Sequence, residues 1–219
     1  MLKRMVSFFL AVGLVCLSAM TCFASDAFNA GNTALEVKFK EFLFTTNDYD
    51  PAQVRVEYEV NGDIEKANIR DRKTGALLET MEVIPKEESA VGPYTFTRSK
   101  SYGKTTLTMY VNVELYSQGS FRQINSIQGS YLGITTSITD TSIEGANVNV
   151  WSEGNVFPTA KLFYAYNATL VASVGLENQV QVSADLIAAG FQLSSSTGNT
   201  FYYRRAANSN GTISLYGAK

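Results

Sequence analysis

Carboxylates are the main acid–base groups this 219-residue chain has to offer, because it contains no histidine. Its two cysteines, Cys16 and Cys22, both lie in an apolar N-terminal run. Once that run is removed, disulfides, Cys/His zinc sites, Ser-His and Cys-His nucleophile pairs and HExxH chemistry are all excluded. A glycosidase needs two carboxyls facing each other across a cleft. The second half of the chain offers Glu114, Glu144, Glu153 and Asp185. Nothing in their spacing pairs any two of them, and solvated strand or turn positions are ordinary for carboxylates. No catalytic residue is assigned. Asn47, Asp48 and Asp50 place three oxygen side chains just before Pro51. Calcium prefers such ligands, but the run lacks the glycine turn and distal glutamate of an EF-hand loop, so it reads as an Asx-rich turn. The sequence predicts no metal and no cofactor.

The aromatic residues are more informative. Residues 105–116 alternate strictly: Leu107, Met109, Val111, Val113 and Leu115 make one face, and Tyr110 and Tyr116 stand on the other with Thr106, Thr108, Asn112 and Glu114. Near residue 150, Ala146, Val148 and Val150 mark an inner face. The only tryptophan, Trp151, lies opposite them with Asn147 and Asn149. If the two polar faces adjoin, Trp151, Tyr110, Tyr116, Asn147 and Asn149 form an aromatic surface ringed by amides and hydroxyls. Such a surface suits sugar rings, whose C–H faces stack and whose hydroxyls need partners. The competing reading is ordinary sheet packing, with tyrosines paired across strands.

Period two is the pattern almost everywhere, which is the mark of half-buried strands. Val54, Val56, Tyr58 and Val60 share a face. Gly62 and Gly75 sit where hairpin turns need a left-handed residue. Residues 35–45 read as one strand, 94–98 as a short one, and 159–174 as a long one. Val180 and Val182 suggest another strand, residues 185–191 the single helical turn, and Asn210-Gly211 a closing turn. About eleven short strands argue for an all-β fold, an antiparallel Ig-like β-sandwich, with a closed barrel as the alternative.

Charge divides the chain near residue 104. Residues 26–104 carry 11 basic and 14 acidic residues, whereas residues 105–219 carry 5 and 6. The second half replaces charge with Ser, Thr, Asn, Gln and Tyr. The shift predicts a charged β subdomain over 34–104 and a low-charge sandwich domain over 105–219, joined at a polar linker, residues 99–104. A single sandwich whose strands differ in exposure is the alternative. The basic clusters Arg70/Arg72/Lys73 and Arg98/Lys100/Lys104 read as solvated strand ends.

Residues 1–24 have the form of a secretory signal peptide: Lys3 and Arg4, an uncharged apolar run, then small residues up to Ala24. Residues 25–33 read as an N-terminal linker. Removing the leader leaves 16 basic and 20 acidic residues, a balance that attracts neither nucleic acid nor an anionic membrane. The leader, the cysteine-free remainder and the Ser/Thr/Asn-rich strands resemble secreted β-proteins of Gram-positive bacteria. That likeness of style carries no functional residues with it.

These features together predict a secreted, monomeric, non-catalytic binding module at the cell envelope. Its partner would be a cell-wall glycan or an extracellular protein, with no nucleic acid and no membrane after cleavage. The other classes are a structural or protein-interaction module using a free sheet edge, a carboxylate-dependent glycoside hydrolase, and a β-pore-forming protein built from residues 117–142.

Overall fold

The computed structural model describes residues 34–85, 91–118, 121–138 and 140–215, less the side chains of residues 178–180. The expected leader and the 25–33 linker lie outside the described residues. The chain opens with β1 (Leu35–Lys38) and β2 (Phe42–Thr46). Next come β3 (Val54–Asn61), β4 (Ile64–Asp71), β5 (Leu77–Pro85), β6 (Val91–Tyr102), β7 (Thr105–Gln118) and β8 (Phe121–Thr136). It continues through β9 (Thr141–Ser152), β10 (Lys161–Gly175), helix α1 (Gln179–Ala188), β11 (Gln192–Thr197) and β12 (Thr200–Leu215).

Strands β3 to β8 pair in sequence order as one antiparallel meander sheet. The second sheet has the order β1-β2-β12-β10-β9 and is also antiparallel, with β11 beside β12. The 16 residues of β12 serve two neighbours on the same side: residues 200–204 pair with β11 and residues 211–215 with β2.

The inner faces follow from alternation. Ile69, Met81, Phe96, Leu107, Met109 and Val111 of the meander sheet share one buried cluster with Phe42, Phe44, Leu162, Leu170 and Ile213 of the second. Phe96 packs edge-on against Phe42 and Phe44, with ring centroids 4.8 and 5.6 Å apart. The fold is therefore an all-β antiparallel sandwich, held by apolar area that each sheet removes from water on the other.

Four local expectations change. Residues 35–45 are two strands: Phe39 breaks the ladder and its N–H donates to the Phe42 carbonyl across a tight turn. Residues 99–104 are not a linker. They are the end of β6 and its turn into β7, where Gly103 takes φ 64°. The charge boundary at 104/105 thus falls inside a hairpin of the meander sheet. The helix starts earlier than expected and absorbs Val182, because Val182 and Leu186 recur at helical spacing and turn one face towards the core.

The Asn210-Gly211 pair makes no turn. Gly211 lies inside β12 between Thr46 of β2 and Tyr164 of β10. A Cβ there would collide with the Thr45 carbonyl oxygen and the Tyr164 hydroxyl. The glycine serves close approach, not left-handed backbone. Gly211→Ala normally gains strand stability through chain entropy. Here the collision is with backbone and a buried ring, so the variant is expected to lose on the order of 3 kcal/mol. A urea midpoint equal to that of the unsubstituted chain would contradict this packing.

Candidate functional site: an aromatic and amide face on the second sheet

On β10, Leu162, Tyr164, Tyr166 and Leu170 turn inward, so Lys161, Phe163, Ala165, Asn167 and Thr169 turn out. On β9, Val148, Val150 and Ser152 turn inward, so Asn147, Asn149 and Trp151 turn out. The ladder sets these side chains in rows. Trp151 lies opposite Phe163, Phe163 opposite Thr212, and Thr212 opposite Thr45. The next row is Asn149, Ala165 and Asn210, and the next Asn147, Asn167 and Asn208. Four strands at ~4.8 Å spacing make the first row about 14 Å long.

The Trp151 and Phe163 rings stack, with centroids 5.8 Å apart and planes 18° from parallel. The Lys161 ammonium lies 4.9 Å from the Phe163 centroid. Trp151 is 38% exposed, and Asn147, Asn149, Asn167, Asn208 and Asn210 are all exposed. At the far end of the rows the Thr45 and Thr212 hydroxyls are 2.8 Å apart, and Asn47 Nδ2 donates to Asn210 Oδ1 at 3.2 Å. Charge stays at the margins: in Lys161, in the Arg204–Glu144 pair at 2.8 Å, and in Glu36 and Lys38 of the edge strand β1, where Glu36 lies opposite Thr45. Contact with the middle of this face strips water from amides and hydroxyls but not from ions, which keeps desolvation modest for a neutral polar ligand. Trp151 emission is expected to be quenched readily by a neutral quencher; a blue-shifted, unquenchable tryptophan would remove this face from consideration.

Three of the five sequence-chosen residues, Trp151, Asn147 and Asn149, are thus together. Tyr110 and Tyr116 are elsewhere. They do point out from β7 as the alternation requires, but β7 belongs to the meander sheet and β9 to the second. The outer faces of a sandwich turn away from each other, so the single surface expected from sequence is divided. Tyr110 stacks on Tyr131, and Tyr116 packs edge-on against Phe121.

The carboxylates are spread and engaged. Glu114 accepts from Asn125 Nδ2 at 3.2 Å, Glu144 pairs with Arg204, and Asp185 pairs with Lys104 at 2.8 Å. Glu153 is exposed in a short 3-10 turn. In the 47–50 loop, the Asp50 carboxylate accepts from the Ala52 N–H at 2.9 Å, while Asp48 lies beside Arg98 at 3.2 Å and Lys100 at 3.6 Å.

Arg98 is the largest departure from expectation. It is not a solvated strand end but is 1% exposed, between the sheets. Its Nε and Nη2 donate to the two oxygens of Glu79 at 2.5 and 2.8 Å. Its Nη1 donates to the Tyr164 hydroxyl and, at 2.7 Å, to Ser209 Oγ. Burial by itself would lower the Arg98 pKa, but Glu79, then Tyr164 and Asp48, hold it well above the usual arginine range. Nearby, Tyr49 places a buried hydroxyl with no hydrogen-bond partner among the described residues. Burial and the Glu79 carboxylate push its pKa up.

Phe163, Asn167, Asn208, Asn210 and Thr212 were missed by the sequence reading. Alternation already placed Phe163 and Asn167 opposite Leu162, Tyr164 and Tyr166. What it lacked was the β10–β12 pairing, which spans up to 53 positions of chain and brings the asparagines into rows. No protein-family model, no curated protein and no solved structure matches the chain.

Proposed function

We propose that this is an exported, monomeric, non-catalytic binding protein of the bacterial cell envelope, and that the outer face of its second sheet binds a neutral glycan. The exposed Trp151, stacked on the half-buried Phe163 at the head of rows of asparagine and threonine, carries the reading. Aromatic faces take the C–H faces of pyranose rings. Amides offer both donors and acceptors to the hydroxyls around them. The 14 Å row matches a run of about three sugar units lying across the strands. The form of residues 1–24 supports export, and the acidic balance of the remainder argues against nucleic acid as the partner.

The test is a pull-down of residues 25–219 on washed Gram-positive cell walls and insoluble polysaccharides. Retention that a soluble sugar competes away is the expected result. Trp151→Ala is expected to weaken it about tenfold or more, and Trp151→Ala with Phe163→Ala to abolish it, with the urea midpoint little changed. Retention unaffected by both substitutions would refute the site. The protein-interaction alternative rests on β11, an edge strand with every residue exposed and no charge, whose free side is open to another strand. Concentration-dependent self-association without ligand would favour it.

A further inference from the structure

The second sheet's face is not the only one that joins stacked aromatics to neutral polar groups. On the outer face of the meander sheet, Tyr110 of β7 and Tyr131 of β8 are register partners, with rings 4.6 Å apart and 12° from parallel. Tyr131 is 52% exposed and stands on the edge strand of its sheet. Its neighbours on the same face of β8 are Gly129 and Gly133, opposite Asn112 and Thr108. Gly133 has a packing explanation: a Cβ there would come within 3.1 Å of the Tyr110 ring, which covers the position. Gly129 has none. A Cβ on it would meet nothing within 4 Å, and its φ is not in the left-handed region. A strand interior ordinarily loses stability by placing glycine there. The result is a tyrosine ring with a clear flank along its own strand, bordered across the ladder by Asn112, whose amide oxygen accepts from the Thr95 hydroxyl at 2.7 Å. In the row Tyr131, Tyr110, Thr97, Glu82, charge begins only at Glu82.

We propose that the Tyr110–Tyr131 stack is a second sugar-stacking site for the same class of neutral glycan, making the protein bivalent. This rests on the proposed function. The occupant is a glycan and not a protein surface: the feature is a ring beside a one-residue gap next to the Asn112 amide, with Glu114 two residues further along β7, which fits the edge and hydroxyls of a pyranose and is too small to seat an apolar side-chain cluster. The two sites lie on outer faces of different sheets, so one molecule can hold two glycan strands. Linking two sites in one body raises the effective concentration for the second contact.

The probe is a suspension of washed Gram-positive cell walls, with the molar mass of the protein measured in parallel. The unsubstituted monomer is expected to adsorb to the walls and agglutinate them. Tyr131→Ala is expected to keep adsorption through the Trp151 face, to lose agglutination, and to lower apparent affinity for particulate walls by up to a hundredfold. Gly129→Val keeps both rings and fills the open flank; it is expected to give the same loss of agglutination. Agglutination undiminished in both variants overturns the proposal, as does adsorption by the unsubstituted chain without agglutination. A chain that adsorbs to no wall overturns the proposed function itself, and this inference with it.

Discussion

Arg98→Met is expected to remove about 3–5 kcal/mol of stability, the range for breaking a buried ion pair from one side. The reason is what the substitution leaves behind. Glu79 is 1% exposed and takes both of its strong hydrogen bonds from Arg98. Without the guanidinium it must ionise without a partner or take up a proton inside the core. Ser209 loses its donor as well. Tyr164 and Asp48 suffer less: the Tyr164 hydroxyl still donates to the Thr45 carbonyl at 3.2 Å, and Lys100 still lies 3.6 Å from Asp48. The decisive comparison is the double variant Glu79→Leu with Arg98→Met, which removes both charges. It is expected to recover most of the loss, because two apolar side chains of similar volume avoid the desolvation of either ion. Urea midpoints at equal slope measure both. A single variant within about 1 kcal/mol of the unsubstituted chain would mean that Glu79 and Arg98 are not a mutually dependent buried pair.

The same pair shows what one sequence can and cannot reveal. Local alternation is a short-range property, and it placed residues 106–116 of β7 on the correct faces, including Tyr110 and Tyr116. It even contained the burial of Arg98, since Tyr94, Phe96, Arg98, Lys100 and Tyr102 share a parity and three of the five are aromatic. The charge of Arg98 concealed that parity. A guanidinium enters a core only when acceptors meet it there, and its acceptors come from β5, β10, β12 and the 47–50 loop, up to 111 positions away. Gly211 is the converse case. Asn-Gly is strong turn chemistry, yet here the pair lies in a strand because Tyr164 and Thr45 occupy the space a side chain would need. The division of the aromatic residues between two outer faces had no local trace at all. Sheet membership depends on which strands pair, and the rows Asn149–Ala165–Asn210 and Asn147–Asn167–Asn208 exist only once β12 has come to lie between β2 and β10.

Raising the pH from 10 to 12 is expected to unfold the protein, and the buried tyrosines set that window. Burial pushes the Tyr164 hydroxyl up to about 12, against the lowering effect of Arg98. Burial likewise pushes Tyr102 up to about 12, against Arg205, whose guanidinium lies 4.5 Å from the Tyr102 ring centroid. Tyr166 is raised too, by burial and then by Tyr102. In the unfolded chain a phenol titrates near 10. Below that pH the hydroxyls are protonated in both states, and the stability linked to them is fully present. Above it the unfolded chain releases protons that the folded chain keeps, so stability falls by about 1.4 kcal/mol per pH unit for each such tyrosine. Over two pH units, Tyr102 and Tyr164 together remove on the order of 5 kcal/mol, comparable with the whole stability of many domains of this size. Phenolate absorbance near 295 nm should therefore show a cooperative step that coincides with loss of the β-sheet circular dichroism signal. Tyr102→Phe removes one of the linked protons and is expected to move that step to higher pH. A gradual titration with the sheet signal intact through pH 12, or a Tyr102→Phe midpoint that does not rise, would contradict the burial of these rings between the sheets.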